Sequence, residues 1–328
     1  MYPHKHRYTE ISRHDTTDRS PALIDRVHAL GYGATMSASS SESVPRLSWS
    51  NVGRLIRLPS QTGTWLLMLP TLWALVLSSK GLPSWRLLVI FILGSFFMRS
   101  AGVILNDLTD RSFDRHVART KQRPLASGEL QPRHALIVLA VLLAFAAVLV
   151  LQLNMLTIML SPVALLLAAL YPFAKRVVHL PQAVLGIAFG WGTIMAWTAS
   201  RGALESAAWL TFAATVCWAI AYDTIYAIQD MDDDRRVGVK SSALYFGSGA
   251  WRAVGVAGAL MLLLLALGAS TVGIGGIAYV VLAAVGIFFA KQVNELRTPV
   301  SPSRAFELFH QHVWVGTVIL GGLVLGFL

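Results

Sequence analysis

Long apolar stretches dominate this sequence and restrict the folds open to it. Nine can be drawn between Thr62 and Leu328, and each approaches the roughly 20 apolar residues that a helix needs to cross a bilayer. Such helices satisfy their own backbone hydrogen bonds, as lipid requires. The composition agrees, because 55% of the 328 residues are hydrophobic and only 13% are charged. The sequence therefore predicts an all-α integral membrane protein with about nine transmembrane helices in one bundle around a central cavity.

The predicted chain has two parts. Residues 1–48 are polar, contain a Ser-rich stretch and show no apolar period, which predicts a disordered cytoplasmic tail. Residues 49–328 are expected to form the transmembrane domain. The predicted spans cover residues 62–79, 87–105, 134–153, 156–173, 182–199, 208–227, 253–269, 272–289 and 313–328.

Basic residues follow the predicted membrane topology. The formal net charge is +10. If the N-terminus is cytoplasmic, only Lys80, Arg86 and Arg201 of the 27 Lys and Arg residues fall on the outer side. This asymmetry predicts a cytoplasmic N-terminus and cytoplasmic basic loops. It explains the charge without nucleic-acid binding.

Two aspartate-rich segments carry the clearest chemical signal. We expect two polar loops, 106–133 and 229–252, each following an apolar helix that ends in carboxylates. The carboxylates are Asp107, Asp110 and Asp114 in the first cluster and Asp223, Asp230 and Asp234 in the second. Within each cluster the spacing places them on one helical face, with Tyr226 inside the second. Like charges so placed repel, so cations must compensate them.

The donor chemistry indicates a divalent metal and a diphosphate. Oxygen-only clusters suit hard ions, and Mg²⁺ prefers a few carboxylates together with waters and substrate phosphate oxygens. Basic side chains able to neutralise a diphosphate surround the clusters: Arg111, Arg115, Arg119, Lys121, Arg123, Lys175, Arg176 and Lys240.

Several motifs carry a resemblance to a known family. They are Arg57–Thr64, Leu69–Ala74, Arg99–Gly102, Asn106–Val117, Arg119–Gly128, Tyr171–Arg176, Ala221–Asp234 and Gly238–Ser241. From about Trp49 to the C-terminus the chain resembles the UbiA superfamily of membrane prenyltransferases, most closely the 4-hydroxybenzoate polyprenyltransferases of ubiquinone synthesis. It departs from the family wording at residues 59–63, Pro-Ser-Gln-Thr-Gly, and at Gln229 and Met231, which flank Asp230.

The resemblance implies a reaction. A polyprenyl chain passes from its diphosphate to the ring carbon ortho to the hydroxyl of 4-hydroxybenzoate, at the bacterial inner membrane. It implies that Mg²⁺ is held by the six aspartates. The other implied substrate-binding residues are Asn106, Arg57, Arg123, Tyr171, Lys175, Arg176, Tyr226 and Lys240.

These residues are expected to bind different parts of the two substrates. Arg123, Lys175 and Lys240 would contact phosphate. Tyr171 and Tyr226 would either stabilise an allylic cation through their ring faces or pack in the bundle and form a hydrogen bond. Either Arg57 or Arg176 would anchor the acceptor carboxylate.

Two alternatives remain at this stage. Homogentisate, a naphthoate or a tetrapyrrole could replace 4-hydroxybenzoate, because the aspartate motifs are shared across the superfamily. A cation-coupled transporter would also place carboxylates in the membrane. That reading predicts carboxylates near the midplane, whereas here the sequence places them at cytoplasmic helix ends.

Overall fold

Helices form all the regular secondary structure in residues 48–117 and 119–328, the part of the chain that the computed structural model describes. The predicted all-α class is confirmed. The tail predicted for residues 1–48 lies outside the described residues except for Ser48, which caps α1. The helices are α1 Trp49–Leu55, α2 Thr62–Ser79, α3 Trp85–Asp114, α4 Pro124–Ser127, α5 Pro132–Val150, α6 Met155–Val177, α7 Pro181–Arg201, α8 Ser206–Val237, α9 Ser242–Phe246, α10 Ala250–Thr271, α11 Gly276–Glu295 and α12 Pro302–Leu325, with a 3-10 turn at Gly247–Gly249.

Nine helices among the described residues are long and apolar enough to span a membrane, as predicted. Their bounds follow the apolar runs closely at α2 and less closely at α12. The latter begins at Pro302 rather than residue 313. Its first turns are polar, and Arg304 pairs there with Glu295 at 2.6 Å and Glu307 at 2.7 Å. Such charged turns end an apolar run without ending the helix.

The two longest helices carry the aspartate clusters. α3 contains 30 residues and α8 contains 32, more than the roughly 20 that span the hydrocarbon. The extra turns hold Asp107, Asp110 and Asp114 on α3, and Asp230 and Asp234 on α8. The predicted loops, 106–133 and 229–252, therefore begin later than expected, because α3 continues to Asp114 and α8 to Val237. Hydropathy marks where the apolar run stops, whereas basic side chains from other elements allow the helices to continue.

Tryptophans join α2, α8 and α12 in the centre of the bundle. Trp73 and Trp218 are fully buried, with ring centroids 4.8 Å apart. Trp73 Nε1 donates to the Gly316 carbonyl at 3.0 Å, and Trp218 Nε1 donates to His312 Nδ1 at 3.0 Å. Each indole thus buries a large apolar ring while its one donor is satisfied.

The outer surface of α5 and α6 is apolar. Phe145, Val148, Met159 and Leu166 are each more than half exposed. A contiguous surface of this kind is unfavourable in water and suits contact with lipid tails. The short helices α4 and α9 each connect two spans, and α1 precedes the first span; all three lie at one end of the bundle, because consecutive spans alternate in direction. The basic loops share that end of the bundle.

Candidate active site

A cavity of about 1120 Å³ opens between the helices. Its walls come from α2, α3, α5, α6, α7, α8 and α12. Every site residue predicted from the sequence lines it: Arg57, Asn106, Asp107, Asp110, Asp114, Arg123, Tyr171, Lys175, Arg176, Asp223, Tyr226, Asp230, Asp234 and Lys240. Residues far apart in sequence therefore face one space.

Asp107 is clamped by two arginines. Arg57 Nη2 donates to both carboxylate oxygens at 2.8 Å, and Arg123 Nη1 donates to Oδ1 at 3.0 Å. Only 1% of the Asp107 surface is exposed, so unpaired burial of this charge would be costly. Arg57 lies in the turn between α1 and α2 with φ of 58°, a left-handed conformation uncommon outside glycine. Burial lowers the pKa of the Arg57 guanidinium, and Asp107 opposes that effect.

Arg123 also holds the end of the first cluster. Its Nη1 donates to Asp114 Oδ2 at 2.9 Å, so one guanidinium joins Asp107 and Asp114. The segment carrying Arg123 is fixed by other arginines. Arg115 Nε donates to the Ala126 carbonyl at 3.2 Å, and Arg54 Nη2 donates to the Gln122 carbonyl at 2.7 Å. These bonds place Arg123 over the cavity.

Asp110 is paired from the opposite wall. The last turn of α6 supplies Lys175 and Arg176. Lys175 Nζ donates to Asp110 Oδ2, and Arg176 Nη2 lies 3.5 Å from Oδ1. Arg176 Nη2 also donates to the Thr109 carbonyl at 2.9 Å. Lys175 was predicted to contact phosphate and Arg176 to bind the acceptor. In this structure both side chains instead neutralise Asp110 of the first cluster.

A single arginine reaches the second cluster from the segment after α3. Arg119 Nε and Nη2 donate to the two oxygens of Asp230 at 3.1 and 2.7 Å, and Nη1 donates to the Tyr226 hydroxyl at 2.8 Å. This fork joins the two halves of the site. Sequence reasoning placed Arg119 only among the surrounding basic groups.

The remaining carboxylates of α8 differ in their surroundings. In residues 48–117 and 119–328, no basic side chain lies within 4.0 Å of the Asp223 or Asp234 carboxylate, although both line the cavity. Asp232, by contrast, is 86% exposed and pairs with Arg235 of its own helix at 3.6 Å. Among the described residues, Asp223 and Asp234 are therefore the predicted metal-binding carboxylates without an ion pair.

The remaining predicted site residues, Asn106, Tyr171 and Lys240, also line the cavity and form no ion pair with another described residue. Lys240 turns its Nζ to the Val177 carbonyl at 2.8 Å, and its backbone N–H donates to the Lys175 carbonyl at 3.1 Å. This ties the segment after α8 to the end of α6. Tyr171 lies one turn before Lys175 on α6, and Asn106 directly precedes Asp107 on α3.

The donor set fits a divalent metal that arrives with its substrate. Within the described ranges no three His, Cys, Asp or Glu side chains converge to hold an ion by themselves. Mg²⁺ commonly takes only one or two carboxylates and completes its shell with waters and substrate phosphates. Carboxylates of α3 and α8 facing one cavity satisfy that requirement.

Sequence reasoning missed Arg99 and Tyr222 as cavity residues. Both line the same space, Arg99 from the membrane-spanning part of α3 and Tyr222 from α8. A signal was present for Arg99, because a charge inside an apolar run is rare and usually functional. Tyr222 precedes Asp223 in the family motif, but sequence alone does not distinguish it from a packing residue.

Comparison with known proteins identifies the family. A family model described as "UbiA prenyltransferase family" matches residues 67–313, well over half of the chain. The chain belongs to the UbiA prenyltransferase family. The UbiA relatives include two proteins named 4-hydroxybenzoate octaprenyltransferase. That of Chromohalobacter salexigens is 44% identical over 88% of this chain and 98% of its own length. That of Pseudomonas aeruginosa is 44% identical over 84% of this chain and 93% of its own.

Solved UbiA structures share the fold. An apo UbiA homologue from Aeropyrum pernix K1 aligns with a TM-score of 0.71 at 28% identity, covering 82% of this chain and 100% of the homologue. A UbiA homologue from Archaeoglobus fulgidus, solved with GPP and Mg²⁺, aligns with a TM-score of 0.59 at 16% identity over 83% and 99% of the two chains. The predicted superfamily is thus confirmed.

Proposed function

We propose that this protein transfers a polyprenyl chain from polyprenyl diphosphate to the ring carbon ortho to the hydroxyl of 4-hydroxybenzoate, releasing diphosphate, in ubiquinone biosynthesis. One observation carries the proposal: both aspartate clusters and the basic side chains that neutralise them line a single cavity. The activity agrees with the name of relatives that match most of the chain.

Mg²⁺ is the proposed metal. The residues that would hold it are Asp107, Asp110 and Asp114 on α3 and Asp223, Asp230 and Asp234 on α8. Bound there, it would supply positive charge against the developing charge of the leaving diphosphate. The same ion is reported with a prenyl diphosphate in the Archaeoglobus fulgidus homologue.

The basic residues are proposed to exchange partners when substrate binds. Arg123 and Lys175 now neutralise buried carboxylates. With those carboxylates neutralised by a bound metal, Arg123 and Lys175 would be able to donate to phosphate oxygens, where charge-assisted bonds are strong. Lys240, held at the Val177 carbonyl beside Lys175, is close enough to the same end of α6 to join them. Positive charge is then preorganised around the leaving group.

The apolar part of the cavity suits a prenyl chain. Its lining from α5 and α6 includes Leu143, Leu149, Ile158 and Leu165. An allylic cation formed here is kept from water, which would otherwise trap it. Tyr171 and Tyr226 border the same space, and we propose that their rings stabilise such a cation. Proton loss from the ring completes the substitution.

The proposed location is the bacterial cell inner membrane, with the N-terminus and the aspartate clusters on the cytoplasmic side. The distribution of Lys and Arg supports this orientation. The diphosphate would then enter and leave from the cytoplasm, and the prenyl chain would extend toward lipid.

An acceptor panel tests the proposal. Purified protein in nanodiscs receives polyprenyl diphosphate, Mg²⁺ and, separately, labelled 4-hydroxybenzoate, homogentisate, a dihydroxynaphthoate or a tetrapyrrole acceptor. The expected result is Mg²⁺-dependent prenylation of 4-hydroxybenzoate alone. Preferential prenylation of another acceptor would assign a different acceptor to the same site. Absence of prenylation with every acceptor would contradict the proposed activity.

A further inference from the structure

Two arginines share the indole ring of Trp251. The guanidinium carbons of Arg252 and Arg297 each lie 5.0 Å from the centroid of this ring. Trp251 and Arg252 lie in the first turn of α10, and Arg297 follows the last turn of α11, at the end of the bundle that carries the aspartate clusters. The ring attracts both cations, but two like charges on one ring repel each other. An anion bound between them would remove that repulsion.

Neither arginine is paired with a carboxylate of the described residues. Both side chains are exposed, and within residues 48–117 and 119–328 no carboxylate lies within 4.0 Å of either guanidinium. Glu295 is the acidic residue nearest to Arg297 in sequence, but both of its oxygens accept from Arg304, at 2.6 and 3.1 Å. Stacking uses the face of a guanidinium and leaves the N–H donors at its edge available.

An apolar row begins directly after Arg252 on the outer face of α10. Large apolar side chains follow it at spacings of four, four, three and four residues, which places them on the helical face of Arg252. They are the exposed residues Val256, Leu260, Leu263 and Leu267. One face of α10 thus carries a cation at its start and apolar surface along the membrane span.

The neighbouring helix α11 has the same arrangement. Lys291 is exposed near its end, and the exposed residues Ile287, Ala284 and Val280 precede it on one helical face. No carboxylate of the described residues pairs with Lys291. The two helices pack side by side, because a Cβ at Gly258 of α10 would lie 3.1 Å from the Phe289 ring of α11. Two apolar rows therefore lie on adjacent helices, and each ends at a cation on the same side of the membrane.

A phospholipid has its parts in the same order. Its acyl chains bury apolar surface, and its phosphate lies at the level where tryptophan rings are enriched. Basic pockets at the cytoplasmic ends of membrane helices bind anionic headgroups, and an arginine matches phosphate oxygens in bidentate geometry. A small soluble anion would meet the cations but leave both apolar rows unused.

We propose that Arg252 and Arg297, assisted by Lys291, bind the headgroup of an anionic phospholipid whose acyl chains lie along α10 and α11. The site is separate from the prenyl-transfer cavity, because none of the three side chains lines that cavity. The bound phosphate offsets the repulsion between the two guanidiniums. A lipid that binds the folded protein in this way also stabilises it.

Two lipids with the same acyl chains test the proposal. Native mass spectrometry of the purified full-length protein in detergent measures binding of phosphatidylglycerol and of zwitterionic phosphatidylcholine. We expect the wild type to prefer phosphatidylglycerol. Because a basic residue near the membrane surface contributes roughly 5-fold to the binding of anionic lipid, Arg252→Gln combined with Arg297→Gln should weaken phosphatidylglycerol binding by about 10- to 30-fold. Binding of phosphatidylcholine should change by less than about 3-fold.

A matched double variant controls for net charge. Arg133→Gln combined with Arg235→Gln removes two exposed cations elsewhere at the same end of the bundle. It should weaken phosphatidylglycerol binding by less than about 3-fold, because attraction to a headgroup falls off within a Debye length. Glycerophosphoglycerol, which is the headgroup without acyl chains, should not displace phosphatidylglycerol at equal concentration, because it buries no apolar surface.

The proposal is overturned by equal losses in the two double variants, or by unchanged phosphatidylglycerol binding when Arg252 and Arg297 are replaced. Equal binding of the two lipids by the wild type would also contradict it. Effective displacement by glycerophosphoglycerol would make the ligand a free phosphate ester rather than a lipid. If the Arg252 and Arg297 double variant does not fold, Arg297→Gln alone decides the question, with an expected loss of about 5-fold. No prenyl substrate is present, so the result does not depend on the proposed reaction.

Discussion

Arg119 donates two hydrogen bonds, of 3.1 and 2.7 Å, to the carboxylate of Asp230, which lies 111 positions later in the sequence. The third guanidinium nitrogen of Arg119, Nη1, donates to the Tyr226 hydroxyl. Because Arg119 follows the first cluster along the chain and Asp230 belongs to the second, this contact closes the site as one unit. An arginine fork is suited to this role, whereas a lysine would supply only a point charge.

Replacing Arg119 should weaken catalysis. In Arg119→Gln, Asp230 loses its charged donor, and loss of such a bond is worth roughly 10- to 100-fold. We expect kcat/KM for polyprenyl diphosphate to fall by about that factor. The control is Arg235→Gln, since Arg235 is exposed and pairs with the exposed Asp232; exposed pairs contribute little. Equal losses in the two variants would show that the fork has no special role.

The unpaired carboxylate of Asp223 should control the response to metal. Asp223→Asn keeps the shape of the side chain but removes the charge, so the Mg²⁺ concentration giving half-maximal prenylation should rise by about 10-fold or more. Asp232→Asn should leave the Mg²⁺ curve unchanged, because the Asp232 side chain is 86% exposed and outside the cavity. Activity is followed across an Mg²⁺ titration. Identical curves for wild type and Asp223→Asn would remove Asp223 from the metal site.

A pair of glycines in α12 tests the packing of the bundle. A Cβ at Gly316 would lie 2.7 Å from both Leu69 and Trp218, whereas a Cβ at Gly321 meets nothing within 4 Å. Gly316→Ala should therefore lower the free energy of unfolding by about 1 to 3 kcal/mol through overpacking. Gly321→Ala should be neutral or slightly stabilising. Thermal unfolding in one detergent compares them, and a lower Tm for Gly321→Ala than for Gly316→Ala would refute the packing argument.

The ion pair between Arg54 and Glu129, at the edge of the site, should make a small contribution to the free energy of unfolding that depends on pH. Hydrogen bonding from Arg54, at 2.5 Å, lowers the pKa of the Glu129 carboxyl. Because the pKa of Glu129 is lower in the folded than in the unfolded protein, its ionised carboxyl stabilises the fold above pH 4.5. This stabilisation is lost as the pH falls through the folded-state pKa. Because both side chains are 40% exposed, Glu129→Gln should cost no more than about 1 kcal/mol at pH 7.

Unfolding of wild type and Glu129→Gln is then compared at pH 7 and in mild acid. The difference between them should shrink as the carboxyl protonates in the wild type. A difference that grows on acidification would contradict the assigned direction of the pKa shift.

Local sequence patterns were sufficient to predict the membrane helices and the aspartate faces. Apolar length marks a span because lipid leaves few alternatives, and carboxylates three, four or seven residues apart share a helical face whatever the tertiary structure. α2 accordingly has its predicted bounds. The predicted site residues line one cavity, but local spacing accounts only for the face that each cluster shares.

Partners across the bundle were beyond sequence reasoning. The pairing of Arg57 with Asp107, and of Lys175 with Asp110, depends on how α2, α3 and α6 pack together. Several basic residues near each cluster are equivalent in a local pattern, and only tertiary geometry selects among them. The predicted span ended at residue 105, whereas α3 continues through Asp114, because hydropathy does not register charges neutralised from a distance.

The central claim is that both clusters act together in metal-dependent prenyl transfer to 4-hydroxybenzoate. Its most direct test measures prenylated 4-hydroxybenzoate formed by wild type, Asp110→Ala and Asp230→Ala in nanodiscs, with Mg²⁺ or with a chelator. The account predicts product from the wild type with Mg²⁺ only, and a loss of at least roughly 100-fold in each variant, because either change removes charge from one shared site. Normal turnover in either variant, or undiminished turnover without divalent metal, would contradict it.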